Sequence, residues 1–218
     1  MDILLACAFV VGALAGGEGD LVLLKSGKAL HGRIVFEDAT TVVLRQDTRD
    51  SILARDEVEK VEWRTTWLSK LLDEATLLGD PSTTEFETLA TEAQAHGLEG
   101  EARLFWWSAL RIDSRHEAAN RALGHRKRGD GYGLPVGGRT VDWEKRFELA
   151  KDWGSAWEFD SLHYHVRSNL ALRETLDVVL DLERLYRAFY ELFGAELRLY
   201  DVVRPMSVFL HGDASSYP

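Results

Sequence analysis

The sequence predicts an α+β chain built from several modules: a small five-stranded β-barrel, a helical spacer and an incomplete β-α-β unit. Three observations carry this reading. Short β-branched runs separated by polar turns fill the stretch from Asp20 to Trp63. Helix-capping signatures and apolar residues at helical spacing follow between Thr66 and Lys127. From Trp157 onward a strand, a long helix and a second strand succeed one another.

The first residues are set apart from these modules. Ile3 to Leu14 is an unbroken apolar run closed by Ala13-Leu14-Ala15 and followed by Gly16-Gly17-Glu18. A short apolar core ending in A-x-A before a polar stretch is the pattern of a cleaved secretory signal, expected over residues 1–15. The run is too short to span a bilayer as a helix, so no stable membrane insertion is expected after cleavage, and the compartment is secreted or periplasmic. A buried first strand is the alternative reading. Cys7 is the chain's single cysteine. Leu4-Leu5-Ala6-Cys7 also has the look of a lipidation box, but its apolar run follows the cysteine instead of preceding it. Removal of residues 1–15 leaves a chain with no disulfide, no Cys-ligated metal and no cysteine nucleophile.

The barrel is expected over residues 20–63. Leu21–Leu24, Leu30–Phe36, Thr41–Arg45, Ser51–Ala54 and the run holding Val58 and Val61 are the five strands. Ser26-Gly27, Glu37-Asp38 and Gln46-Asp47 supply the turns of a meander. Closure into a barrel would remove the exposed edges. Gly32-x-Ile34-x-x-x-Asp38 followed by Val42-Val43-Leu44 resembles the first motif of Sm-like and SH3-like barrels. In the Sm family an Asn contacts the base at the position held here by Val42, and an Arg-Gly pair stands where this chain has Arg55-Asp56. These departures imply a structural or protein-contact barrel. Composition agrees: with 26 Lys and Arg against 36 Asp and Glu, the net charge of -10 repels a phosphate backbone. No nucleic-acid partner is expected.

Residues 66–127 form the helical spacer. Ser82-x-x-Glu85 and Ser114-x-x-Glu117 are capping-box patterns, and Gly97 and Gly124 stand where helices can end. Counted from Thr83, the residues Phe86, Leu89, Ala102, Trp106 and Ala109 fall on the packing positions of a tetratricopeptide repeat, which this stretch resembles, with Leu123-Gly124 opening a partial second repeat. Such units need stacking neighbours, so this one must pack elsewhere in the chain. Protein or peptide partners are the expectation.

Residues 128–152 are expected as a linker and short helix. Gly129 to Gly138 is glycine-dense, yet no Gly-Lys-Ser/Thr follows, so it is a turn or linker and not a phosphate loop. Trp143, Phe147 and Leu149 mark the helix.

The last segment covers residues 153–218. Leu162, Tyr164 and Val166 alternate with His163, His165 and Arg167, a strand with one buried face. Val178, Leu182, Leu185, Phe189 and Leu192 trace one helical stripe, and Leu172, Leu176, Val179 and Tyr186 a second. Gly194 is the expected stop, and Met206–Leu210 the returning strand.

No complete catalytic site is legible. His163-x-His165 has a spacing that can bind zinc, but no third ligand is recognisable, and solvated histidines are the plainer reading. Asp56-Glu57 and Glu99-x-Glu101 are carboxylate pairs expected at the surface. The seven tryptophans read as core and interface, with a carbohydrate platform as the sharper alternative. No G-x-S-x-G, H-E-x-x-H or P-loop occurs. Thus no catalytic, cofactor-binding or metal-ligating residue is assigned.

Ser161 to Asn169, the helix ending Phe189-Tyr190-Glu191-Leu192-Phe193-Gly194, and Val208-Phe209-Leu210 resemble the opening of a peptidase MA-like domain. The resemblance implies a gluzincin-type zinc metallopeptidase of exported bacterial proteins, preceded by a helical-repeat spacer. There, H-E-x-x-H binds zinc and activates water. It therefore implies a truncated, inactive front portion here, with zinc only if an H-E-x-x-H exists downstream. An exported non-enzymatic scaffold using the barrel and repeat is the competing expectation.

Overall fold

A computed structural model describes residues 19–46, 49–197, 202 and 204–212. The expected signal segment, Cys7 included, lies outside the described residues. The chain separates into two compact units, Met1–Glu62 and Trp63–Pro218.

In the first unit β1 (Asp20–Leu24), β2 (Ala29–Glu37), β3 (Thr41–Gln46), β4 (Arg49–Ala54) and β5 (Val58–Glu62) form one antiparallel sheet. Its order is β4-β3-β2-β1-β5. Alternation places Val22, Ile34, Val42, Leu44 and Val58 on the buried face. Register shifts at Leu23/Leu24 and at Ile34/Phe36 bend the strands. The buried Asp20 carboxylate accepts a hydrogen bond from the Ile34 amide at 2.9 Å. Five strands are present, but no ladder joins β4 to β5 among the described residues, so hydrogen bonding does not close the sheet into a barrel. Val42, the position of the expected Asn in an RNA-binding barrel, is wholly buried.

The second unit opens with α1 (Arg64–Leu78), α2 (Thr83–Ala95), α3 (Glu99–Ile112) and α4 (Glu117–Ala122). Ser82 and Glu85 form a reciprocal capping box at the start of α2. At its end Gly97, with φ +67°, allows the Leu98 amide to reach Ala93 O and the Gly97 amide to reach Gln94 O, the two bonds of a Schellman turn. Phe86, Leu89, Ala102, Trp106 and Ala109 are all buried. The second expected box does not form. The helix begins at Glu117, and its cap is His116, whose Nδ1 accepts from the Ala119 amide. Ser114 instead offers its carbonyl to Asn120 Nδ2.

The glycine-dense stretch, expected as linker, is built into a sheet. β6 (Arg126–Arg128), β7 (Gly131–Val136) and β8 (Arg139–Val141) form an antiparallel meander. Gly137 and Gly138 both have positive φ, the requirement of a two-residue type I′ hairpin turn. α5 (Trp143–Ala150) follows, capped by Asp142 Oδ1 accepting from the Lys145 amide.

β9 (Trp157–Asp160) and β10 (Tyr164–Ser168) pair antiparallel, and β11 (Met206–Leu210) joins β10 in parallel after the long helix α6 (Leu172–Leu197). This is the β-α-β connection expected from sequence. Tyr164 and Val166 are buried while His165 and Arg167 are partly exposed. Gly194 does not end α6, which continues to Leu197; a glycine weakens a helix but does not stop one without a left-handed φ. The helical and C-terminal segments share one continuous core, from Leu68 through Trp106 and Trp157 to Tyr186.

Candidate functional site

The sequence-selected residues fall in unlike surroundings. Asp56 and Glu57 are exposed in a single helical turn, and Glu99 is exposed at the start of α3. Glu101 is fully buried, contrary to the surface expected for it. His163 and His165 do not share a site. His165 Nδ1 meets Asp160 Oδ1 at 2.6 Å at the surface, whereas His163 is buried with Nδ1 2.6 Å from Glu183 Oε2. Among the described residues no group of three or more His, Cys, Asp or Glu could hold a metal ion.

His163 belongs to a closed clamp. Gly100 lets the turn after β9 approach α3, since a Cβ there would stand 2.4 Å from Asp160 O. That approach brings the Leu162 amide onto Glu101 Oε1 at 2.6 Å, while the His163 amide donates to Glu183 Oε1 at 2.9 Å. The His163 ring lies flat on Tyr186, with centroids 3.6 Å apart. Burial, with the Glu183 charge adding to it, pushes the Glu101 carboxyl up to about 7. The Glu183 side chain has no solvent exposure, so this cluster fastens a loop to α3 and α6.

A second cluster is open. A cavity of about 340 Å³ lies between α3, β7, α5 and β9, within the range of about 300–1,000 Å³ usual for small-ligand sites. Trp107, Trp157 and Phe159 line it, with Trp107 set edge-on to the other two at 5.5 and 6.3 Å. Gly124, with φ +72°, makes the Schellman turn in which the His125 amide reaches Asn120 O. This turn brings His125 Nδ1 within 2.9 Å of Asn120 Oδ1. Because Asn120 Nδ2 donates to the Ser114 and His116 carbonyls, its oxygen must accept. Nδ1 therefore carries the proton, and Nε2 is the acceptor of the neutral ring. Burial first, then the Arg103 charge, lowers His125 to about 4.

Arg146, buried on α5, lies with its guanidinium carbon 3.7 Å from the centre of the Trp157 ring. It donates to Ser155 O at 2.9 Å and Ala156 O at 3.4 Å. Burial lowers it to about 10, opposed by the Glu158 charge. Arg146 and Arg103 both line the cavity. Neither has a carboxylate within salt-bridge distance among the described residues, while Glu158, the one carboxylate of the lining, faces Arg167 at 3.5 Å. Sequence spacing missed this group, because Arg103, His125, Arg146 and Trp157 come from separate elements; the Leu123-Gly124-His125 turn was its one local signal.

A third feature is the outer side of α6. Leu172, Leu176, Val179 and Tyr186 are buried, but Leu185 is 62% and Leu192 67% exposed, with Phe189, Phe193 and Leu197 also exposed. No helix among the described residues is long and apolar enough to cross a membrane. Comparison with known protein families, with curated proteins and with solved structures finds no match.

Proposed function

We propose that this chain is the non-catalytic N-terminal region of an exported zinc metallopeptidase of the peptidase MA-like class, with α6 as the helix on which the rest of that domain is laid. The observation that carries the reading is the contrast along α6. One stripe is buried, and the other, from Leu185 to Leu197, is apolar yet exposed. Contiguous apolar surface of this kind marks a contact face. The β-α-β order and the parallel pairing of β10 with β11 support the same reading. Any zinc would be held by an H-E-x-x-H outside these residues; none is assigned here.

The test has two parts. An H-E-x-x-H encoded within about a hundred residues after Pro218, the span such a domain needs, supports the proposal, and its absence defeats it. The 218-residue chain made alone should bind a hydrophobic dye or self-associate, and appending the downstream residues should abolish both and bring zinc-dependent stability. A monomeric, dye-silent chain would instead favour a second reading, an exported non-enzymatic scaffold. The α2–α3 hairpin favours that reading through its resemblance to a tetratricopeptide repeat.

The first unit we read as a small SH3- or Sm-like barrel serving protein contact. Its strand order, its two register shifts and the close backbone approach at Gly32, where a Cβ would stand 2.5 Å from Arg45 O, support strong curvature. Export is proposed with cleavage after Ala15; sequencing the N-terminus of secreted material should find Gly16, and a retained Met1 would overturn it.

A further inference from the structure

We propose that the cavity between α3, β7, α5 and β9 binds a small aromatic carboxylate. Its ring is held among Trp107, Trp157 and Phe159, and its anionic group meets the guanidiniums of Arg146 and Arg103.

The ring is called for by the walls. Trp107 meets Trp157 at an interplanar angle of 71° and Phe159 at 86°. A further aromatic ring extends such an edge-to-face array favourably. A sugar platform needs an open ring face, and the Arg146 guanidinium covers one face of Trp157. A neutral sugar is therefore the weaker fit.

The anion is called for by charge. In a chain with a net charge of -10, carboxylates are abundant, yet among the described residues neither arginine has one within salt-bridge distance, and Glu158, whose charge reaches Arg146, is paired with Arg167. Arg146 is buried, and its guanidinium donates to the backbone carbonyls of Ser155 and Ala156. A buried cation without a directly paired carboxylate is costly, and a bidentate carboxylate is the partner that guanidinium geometry fits best. His125 lies on the same lining with its Nδ1 fastened to Asn120, which leaves Nε2 as the remaining polar atom of the ring.

Phenylacetate is the probe, with phenylacetamide as its uncharged isostere and glucose as the neutral sugar. Titrated into the full chain, phenylacetate should saturate, shifting the indole N–H resonances of Trp107 and Trp157 first. Phenylacetamide should bind about tenfold more weakly, the loss expected when a charge-assisted pair is removed. Arg103→Gln should weaken phenylacetate several-fold and leave phenylacetamide unchanged. Arg103 is exposed and makes no hydrogen bond or ion pair among the described residues, so this variant should unfold at the same temperature as the parent. Equal affinity for acid and amide overturns the proposal. So does saturable binding that leaves both indoles unmoved, or a preference for glucose.

Discussion

The second unit buries charge in two places and treats it in opposite ways. Between α3 and α6, Glu101 and Glu183 are enclosed with backbone amides and an imidazole as donors, and every contact points inward. Beside β9, Arg146 is also buried, though less completely, and rests on carbonyl dipoles and a tryptophan face, with a cavity beside it. The first arrangement gives both carboxyl groups donors within the protein, and burial beside Glu183 raises Glu101 to about 7. The second leaves a positive site next to open space. Burial of a charge therefore takes two forms in this unit, one closed on itself and one beside a void.

The contrast breaks most sharply at Glu183. Glu183→Ala strands the His163 ring nitrogen and amide in a dry interior, and removing one member of a buried pair costs about 3–5 kcal/mol. Denaturant unfolding should show that loss, with Glu183→Gln recovering part of it by keeping an acceptor for the His163 amide. A loss under about 1 kcal/mol would mean water reaches the clamp. Arg146→Met keeps much of the contact with Trp157 and removes the charge and two hydrogen bonds. The cost should be smaller, about 1–2 kcal/mol.

Glu101 sharpens the comparison through pH. Its folded pKa of about 7 lies above the ordinary 4.5, so the folded state holds a proton that the unfolded chain has released. The stability tied to it is complete below about pH 4.5 and is lost as pH rises through 7. His125, at about 4 against an ordinary 6.5, runs the other way: its contribution is complete above 6.5 and is lost as pH falls through 4. Glu101→Gln removes the first and keeps the second. The variant should match the parent near pH 4.5 and exceed it by about 3 kcal/mol at pH 8, read from urea midpoints across the range. A constant difference at every pH would refute the assignment.

What the sequence disclosed was local. Ser82-x-x-Glu85 and Gly97 were legible because a cap and a left-handed turn are set by neighbours within a few positions. Ser114-x-x-Glu117 misled because His116, two residues later, caps the helix instead. Gly129 to Gly138 misled because glycines that permit a linker also permit two tight hairpin turns. The alternation around Tyr164 revealed a strand, but not that His163 and His165 would part company. Glu101, 61 residues before Leu162, and the grouping of Arg146 with His125 and Trp157 depend on packing between distant elements, which spacing along the chain does not encode.

The smallest effect on stability is expected on the outer side of α6, and it separates surface from core on a single helix. Leu192 is 67% exposed and Val179 is wholly buried. Leu192→Glu removes apolar area that is already in water, so the unfolding free energy should change by no more than about 0.5 kcal/mol. Val179→Ala opens a void in the shared core and should cost appreciably more. Association should respond in the reverse order. If the Leu185–Leu197 stripe is a contact face, Leu192→Glu lowers dye binding and self-association measured by sedimentation, while Val179→Ala leaves association as it was or raises it by loosening the fold. Should Leu192→Glu destabilise the chain as much as Val179→Ala does, then the stripe is covered within the folded protein. The contact face would then have to be sought elsewhere.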